Sequence, residues 1–416
     1  MKLLWLCNIA PAAVQEKISG KAAGGLWLDH VLDTLRREQM EIRVLCPGDG
    51  GAGCVDESCS YATFREGAPD VYLPQLEETF AAQLREFQPD VIHVWGTEYG
   101  HTLAMVNAAE KEGLLDHLAV NIQGLTSVIA RHYCEGVPHK HVHCSSFRDF
   151  VRRNNLARQQ EFFARRGELE IQALKKVRHV VGRTHWDRAC TAAINPEVCY
   201  HHCDETLRAP FYEGQWQYQN CKKHSIFAPG SNYPVKGFHY LLEAFAQVVK
   251  TYPDATLSLP GNGFPKAGDW KGKLRATHYQ NYLAQLVRSY GLEDRISFRG
   301  GLSAEQMRDA YLDANVFVIP STIENSPNTL GEAMLLGVPC VASDVGGVTT
   351  LLKHGEEGFV CPSTAPYMLA WFIEQVFSME ERAGELGTAA RNHAQKLHDP
   401  GKNHRDLMQM YAEIRR

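Results

Sequence analysis

The sequence predicts an α/β protein with two doubly wound, Rossmann-like domains facing a central cleft. Three observations carry that expectation. Short apolar runs alternate with helix-period stretches along the whole chain, the pattern of parallel strands covered by helices on both faces. Each half holds enough of these runs for a sheet of its own. And 416 residues are too many for one ordinary core, yet suit two domains of roughly 200 each.

In the first half the strand-like runs are residues 2–9, 41–46, 90–95, 118–122 and 179–182. In the second they are 225–228, 256–259, 296–298, 316–319 and 340–342. Helix-period stretches lie between them, among them 26–39, 238–250, 279–290 and 304–313. The polar, aromatic stretch 204–223 shows neither period and precedes a fresh strand. The expected division is therefore residues 1–205, one Rossmann-like domain, and 206–395, a second. Residues 396–416 are expected as a C-terminal helix that crosses back to the first domain. The opening residues read either as a short signal peptide or as a buried first strand, and the Gly-rich turn that follows gives the strand a purpose.

Composition excludes some classes. The chain is 44% hydrophobic and 22% charged, with net charge −5, which is not the basic excess of a nucleic-acid binder. No stretch reaches the roughly 18 apolar residues of a membrane span. The 12 cysteines are scattered, several within apolar runs, as free thiols in a reducing, cytoplasmic compartment would be. Cys199, His201, His202 and Cys203 crowd ligand-type residues together, but no second cluster completes a zinc pattern. The segment from Arg148 to Arg178 carries nine basic side chains against four acidic ones, with apolar residues interleaved. It reads as a solvated helical face or as a surface for anionic lipid or a phosphorylated acceptor.

The chemistry concentrates after the run 316–319. There a strand ends at Pro320, a polar loop carries Glu324, and Ser326-Pro327 makes a cap and first turn for a helix running to about Gly337. Helical side chains lean toward the N-terminus, so Glu332 points to the same mouth as Glu324. The backbone N–H groups of Asn328, Thr329 and Leu330 open there and, with the helix dipole, suit a phosphate. Two carboxylates flanking a phosphate site suggest sugar hydroxyls on either side of a diphosphate.

Glu324 and Glu332, with seven residues between them and followed by Ala333-Met334 and 337–343, closely resemble the Glu-x7-Glu signature of the family 4 retaining glycosyltransferases, which have the GT-B fold. Pro320-Ser321, the Asn325-x-Pro327-Asn328 insert and the 344–347 turn strengthen the likeness, which is firm over 225–362 and looser over the first half. The resemblance implies that Glu332 holds the nucleotide ribose and Glu324 the donor sugar near its reacting end. Residues 228–237 resemble the loop in which an arginine and a lysine clamp the diphosphate. Lys236 fits the lysine, but Ser231 stands where the arginine would be, which removes a bidentate donor. Arg183 either compensates or is an ordinary arginine.

The same resemblance places Gly261 and the Arg299-Gly300 turn near the donor, and Gly24-Gly25 against its phosphate when the cleft closes. A plain turn requirement explains these glycines too. Gln123 stands where the family often has a histidine, so no histidine base is expected there. Glu98 and His101 join Gln123 as acceptor-side candidates. The implied reaction moves a sugar from a nucleoside diphosphate to a hydroxyl of a glycan or lipid-linked acceptor, with retention and without a cofactor or catalytic metal. Its setting would be bacterial cell-surface polysaccharide or glycolipid synthesis. A non-catalytic sugar-nucleotide or glycan binder, or an epimerase of the same fold, are the rivals.

Overall fold

The computed structural model of the protein describes residues 1–20, 27–38, 40–230, 233–265 and 268–415. Gly24, Gly25 and Ser231 lie outside the described residues. The chain divides into two compact units. The first comprises Met1–Ala130, Phe162–Arg208 and Leu397–Arg416, the second Arg131–Glu161 and Ala209–Lys396. Residues 131–161 thus depart from the sequence expectation of one domain over 1–205. His239 reaches into this excursion through the Glu135 carbonyl (3.0 Å), and the His278 N–H donates to Asp149 Oδ2 (2.6 Å).

The first unit is built on strands β1 (Lys2–Cys7), β2 (Glu41–Pro47), β3 (Ala52–Cys54), β4 (Cys59–Phe64), β5 (Val91–Trp95), β6 (Leu118–Asn121), β7 (His179–Gly182) and β8 (Cys199–His202). They form one sheet in the order β3-β4-β2-β1-β5-β6-β7-β8, parallel except for the β3–β4 pair. Alternate residues of β1 supply two cores. Leu4 and Leu6 join Phe80, Leu84, Met105 and Val120 on one face. Leu3, Trp5 and Cys7 join Leu28, Leu32 and Leu35 on the other, together with Leu407, Met410, Tyr411 and Ile414 of the helix Pro400–Ile414. The Trp5 indole N–H donates to the Tyr411 hydroxyl (3.2 Å), which also meets His93 Nδ1 (2.8 Å).

The second unit is built on β9 (Lys222–Phe227), β10 (Thr256–Leu259), β11 (Ile296–Phe298), β12 (Ala314–Ile319), β13 (Cys340–Ser343) and β14 (Phe359–Cys361). Their order is β11-β10-β9-β12-β13-β14, and every pair is parallel. Each of β12's six residues is buried, as a central strand covered on both faces requires. Ligands of doubly wound sheets bind beyond the carboxyl ends of the strands where the order reverses. Those switch points are β1/β5 in the first unit and β9/β12 in the second. No helix among the described residues is long and apolar enough to cross a membrane. All twelve cysteines are free thiols.

Candidate functional site

The β9/β12 switch point brings the two signature loops together. The loop after β9 carries Lys236, and the loop after β12 carries Glu324. Lys236 Nζ lies 2.6 Å from Glu324 Oε1, and the Ser321 hydroxyl donates to the same oxygen at 2.7 Å. The Thr322 N–H donates to the Val235 carbonyl (2.9 Å), tying the loops through backbone as well.

Two glycines fix the path of the Glu324 loop. Gly237 has φ +62° and a Cβ there would overlap the Pro320 carbonyl oxygen. Gly346 has φ +53° and a Cβ there would overlap the carbonyl oxygen of Glu324 itself. The next residue, Gly347, donates its N–H to that carbonyl (3.0 Å). Only a residue without a side chain permits such close backbone approach in the left-handed region.

The helix after the loop spans Asn328–Leu336, and its N-cap is Pro327 with no side-chain capping bond. The cap therefore falls one residue later than the sequence reading, and Ser326 does not fill it. Leu330 is a correction too: its N–H donates to the Pro327 carbonyl (2.9 Å), so it is not open to an anion. The N–H groups of Asn328 and Thr329 make no hydrogen bond among the described residues, as first-turn donors commonly do not. The helix stops at Gly337, where the sequence reading ended it.

Glu332 is 3% exposed. The Tyr311 hydroxyl lies 3.2 Å from Glu332 Oε2 and 3.1 Å from the Thr329 carbonyl. Tyr311 is itself wedged edge-on against Phe227 and Phe317. Gly261 and Gly300 pair through reciprocal N–H to carbonyl bonds of 2.7 and 3.1 Å, which joins the loops after β10 and β11. Arg299 Nη1 lies 3.7 Å from Asp313 Oδ2, a loose, half-exposed pairing.

In the first unit the β1/β5 switch point holds a polar relay. Asn8 Nδ2 donates to Glu98 Oε2 (3.0 Å), and His101 Nε2 lies 2.8 Å from Asn8 Oδ1. Burial, with the Glu170 carboxylate adding repulsion, pushes the Glu98 carboxyl up to about 7. Burial alone holds the His101 ring down at about 3. His101, an acceptor-side candidate from the sequence, is 4% exposed and steadies Asn8 from within.

Gln123 and Arg183 meet in a second network. Gln123 Nε2 donates to Asn121 Oδ1 (2.6 Å) and to Glu205 Oε1 (2.9 Å). Arg183 Nη2 reaches Gln123 Oε1 at 3.4 Å, and its Nη1 pairs with Glu205 Oε2. Arg183 is buried, with its charge balanced by Glu205 inside the first unit. Asn121 and Glu205 also line a cavity of about 40 Å³ with Trp95, Thr206 and Asn403.

Sequence reasoning missed Asn8, Glu205 and Tyr311. It had Ser321 and Gly346 only as parts of the signature, without their contacts to Glu324. The first three come to the site through the topology of the sheets.

Residues 217–393 match the sequence profile described as glycosyl transferases group 1. Among curated relatives, a D-inositol 3-phosphate glycosyltransferase of Corynebacterium diphtheriae is 30% identical over 159 residues, 38% of this chain and 35% of the relative. A mannosylfructose-phosphate synthase of Agrobacterium fabrum is 28% identical over 162 residues, 39% and 34% of the two chains. The chain thus spans about a third of the length of these relatives. Solved structures match along its full length. A sucrose-phosphate synthase of Thermosynechococcus elongatus superposes with TM-score 0.73 at 18% identity, covering 100% of this chain and 99% of that one. HepE of Anabaena in complex with UDP-glucose does so with TM-score 0.67 at 17% identity, covering 99% and 100%. The chain therefore has the GT-B fold, and its residues 217–393 are similar to the group 1 glycosyl transferases.

Proposed function

We propose that the protein moves a sugar from a nucleoside diphosphate sugar to a hydroxyl of a glycan or lipid-linked acceptor, with retention and without a catalytic metal. The observation that carries this reading is the Lys236–Glu324 pair (2.6 Å) on the loop that leads into the open N–H groups of Asn328 and Thr329. A cation, two backbone donors and a helix dipole suit a diphosphate. Glu324 on one side and Glu332 on the other can accept hydrogen bonds from sugar and ribose hydroxyls. The UDP-glucose complex of HepE supports a donor of this class.

Lys236 and the first turn of the helix stabilise the negative charge that develops as the glycosidic bond to the diphosphate breaks. The leaving phosphate oxygen then takes the acceptor hydroxyl's proton on the same face. Glu98 supplies an acceptor-side carboxyl that titrates near neutrality, and Gln123 supplies an amide.

Calorimetric titration with UDP- and GDP-sugars, alongside a donor-turnover assay, tests the proposal. Glu332→Gln is expected to weaken donor binding about tenfold to a hundredfold, the loss of one or two charged hydrogen bonds at roughly 1.5–3 kcal/mol. Binding without turnover would favour a non-catalytic binder. No binding of any nucleotide sugar would end both readings.

We further propose a peripheral membrane contact, narrowed from the Arg148–Arg178 segment to its first helix. Arg165 pairs with Asp70, Lys176 with Glu110 and Arg178 with Asp116, while Arg166 lies over the Tyr99 and Phe163 rings. Those charges are spoken for within the first unit. By contrast Phe147, Phe150 and Val151 are 63%, 76% and 63% exposed, with Arg152 and Arg153 beside them and Arg148 only loosely paired with Asp149 (3.8 Å). Apolar side chains among arginines suit an anionic interface. Co-sedimentation with phosphatidylglycerol vesicles should exceed that with phosphatidylcholine, and Phe150→Ser with Val151→Ser should abolish the difference. Sedimentation indifferent to lipid charge or to the double variant would remove the reading.

A further inference from the structure

The edge of the first unit's sheet brings three metal-ligating side chains to one spot that the transfer chemistry does not use. Cys199 and His201 are two apart on β8 and so share one face of the sheet. His179 opens the neighbouring strand β7, directly opposite Cys199 in the parallel register. The possible ligand atoms of the three residues all lie within 4.8 Å of one another. His179 Nδ1 and His201 Nε2 are only 2.9 Å apart. Glu413, on the C-terminal helix, places Oε2 3.6 Å from the other nitrogen of the His201 ring, Nδ1.

We propose that His179, Cys199 and His201 bind a zinc ion, with Glu413 orienting the His201 ring. A thiolate and two imidazoles are a donor set that zinc readily takes. Zinc–ligand bonds of about 2.0–2.3 Å put neighbouring ligand atoms about 3.3–3.6 Å apart. The two nitrogens are already closer than that, and the cluster needs to draw in by only about 1 Å overall. A carboxylate on the far nitrogen of a ligating histidine is the usual supporting partner, since it fixes the tautomer and the ring's direction. Cys199 is exposed, so the ion has a path in and water can complete a fourth position.

His179 and Cys199 are the first residues of β7 and β8, whereas Glu98 and Gln123 follow the carboxyl ends of their strands. The ion is therefore structural. It pins the last strand of the sheet, which has only one neighbour, to β7 and through Glu413 to the C-terminal helix. The sequence alone shows Cys199 and His201 but not His179, which comes from 20 residues earlier through the strand pairing.

The test uses the full chain stripped with chelator and reloaded with Co²⁺. One equivalent should bind with a thiolate-to-cobalt charge-transfer band that Zn²⁺ displaces, and Zn²⁺ should raise the melting temperature. Cys199→Ser and His179→Ala should each lose the band and the thermal shift, while Glu413→Gln should weaken zinc binding about tenfold to a hundredfold. Absence of the band in the parent protein overturns the proposal. So does a band that survives Cys199→Ser, since Cys54 and Cys144 are also exposed thiols. A Cys199→Ser protein that melts at the parent's metal-free temperature shows that the lost band is not a folding defect.

Discussion

Lys236→Met should lower kcat/KM for sugar transfer by about 10²–10³, on the order of 2.7–4 kcal/mol of transition-state stabilisation. The expectation follows from where the ammonium sits. Its only ion-pair partner among the described residues is Glu324, at 2.6 Å. With Ser231 in place of a second cation, no other side chain of the β9 loop can carry the diphosphate charge. The substitution removes the attraction for the leaving group and also leaves Glu324 without its counter-ion. Lys236 is partly exposed, so folding should change little, within about 0.5 kcal/mol. Steady-state transfer kinetics with a matched melting curve check this. A variant within threefold of the parent would mean that the diphosphate is held elsewhere.

Gly346→Ala should cost about 10² in turnover while the chain still folds. A Cβ at that position overlaps the Glu324 carbonyl oxygen, and a backbone oxygen cannot rotate away as a side chain would. The loop bearing Glu324 must move by an ångström or more, a displacement worth about 10²-fold when it misplaces a reacting group. The positive φ adds roughly 1–2 kcal/mol of strain. Gly355→Ala separates the two effects. Gly355 has φ +76° but nothing within 4 Å of an added Cβ, so it should show the strain without the loss of turnover. Equal activity losses in both variants would refute the steric account.

Much of this architecture is legible in the chain because buried parallel strands advertise themselves as continuous apolar runs. β1, β5 and β12 are of that kind, and their bounds fall within two residues of the sequence reading. The strands that escape it are β3, β4, β8 and β14. β8 reads Cys-Tyr-His-His and lies at the sheet's edge, where one side needs no apolar cover. The excursion 131–161 escapes for another reason: chain adjacency says nothing about which core a helix joins.

The donor loops are legible because Glu324, Glu332 and Lys236 sit on segments whose local sequence is itself the signal. Tyr311 beneath Glu332 is invisible in this way, since an aromatic on a helix more often reads as core. Asn8 is equally silent. It matters only because the strand order sets the end of β1 beside that of β5, so that an amide at residue 8 meets a carboxylate at residue 98.

The packing of Leu407, Met410, Tyr411 and Ile414 against Leu3, Trp5 and Cys7 sets a timetable for the newborn chain. One face of the first sheet stays only partly covered, by Leu28, Leu32 and Leu35, while about 200 further residues are translated. At roughly 5–20 residues per second that is a wait on the order of 10–40 s. During it, Trp5 and its apolar neighbours are open to water, to chaperones and to other nascent chains. Strand β1 is finished by a helix about 400 residues further along, and synthesis rather than local propensity sets when the earlier unit can close.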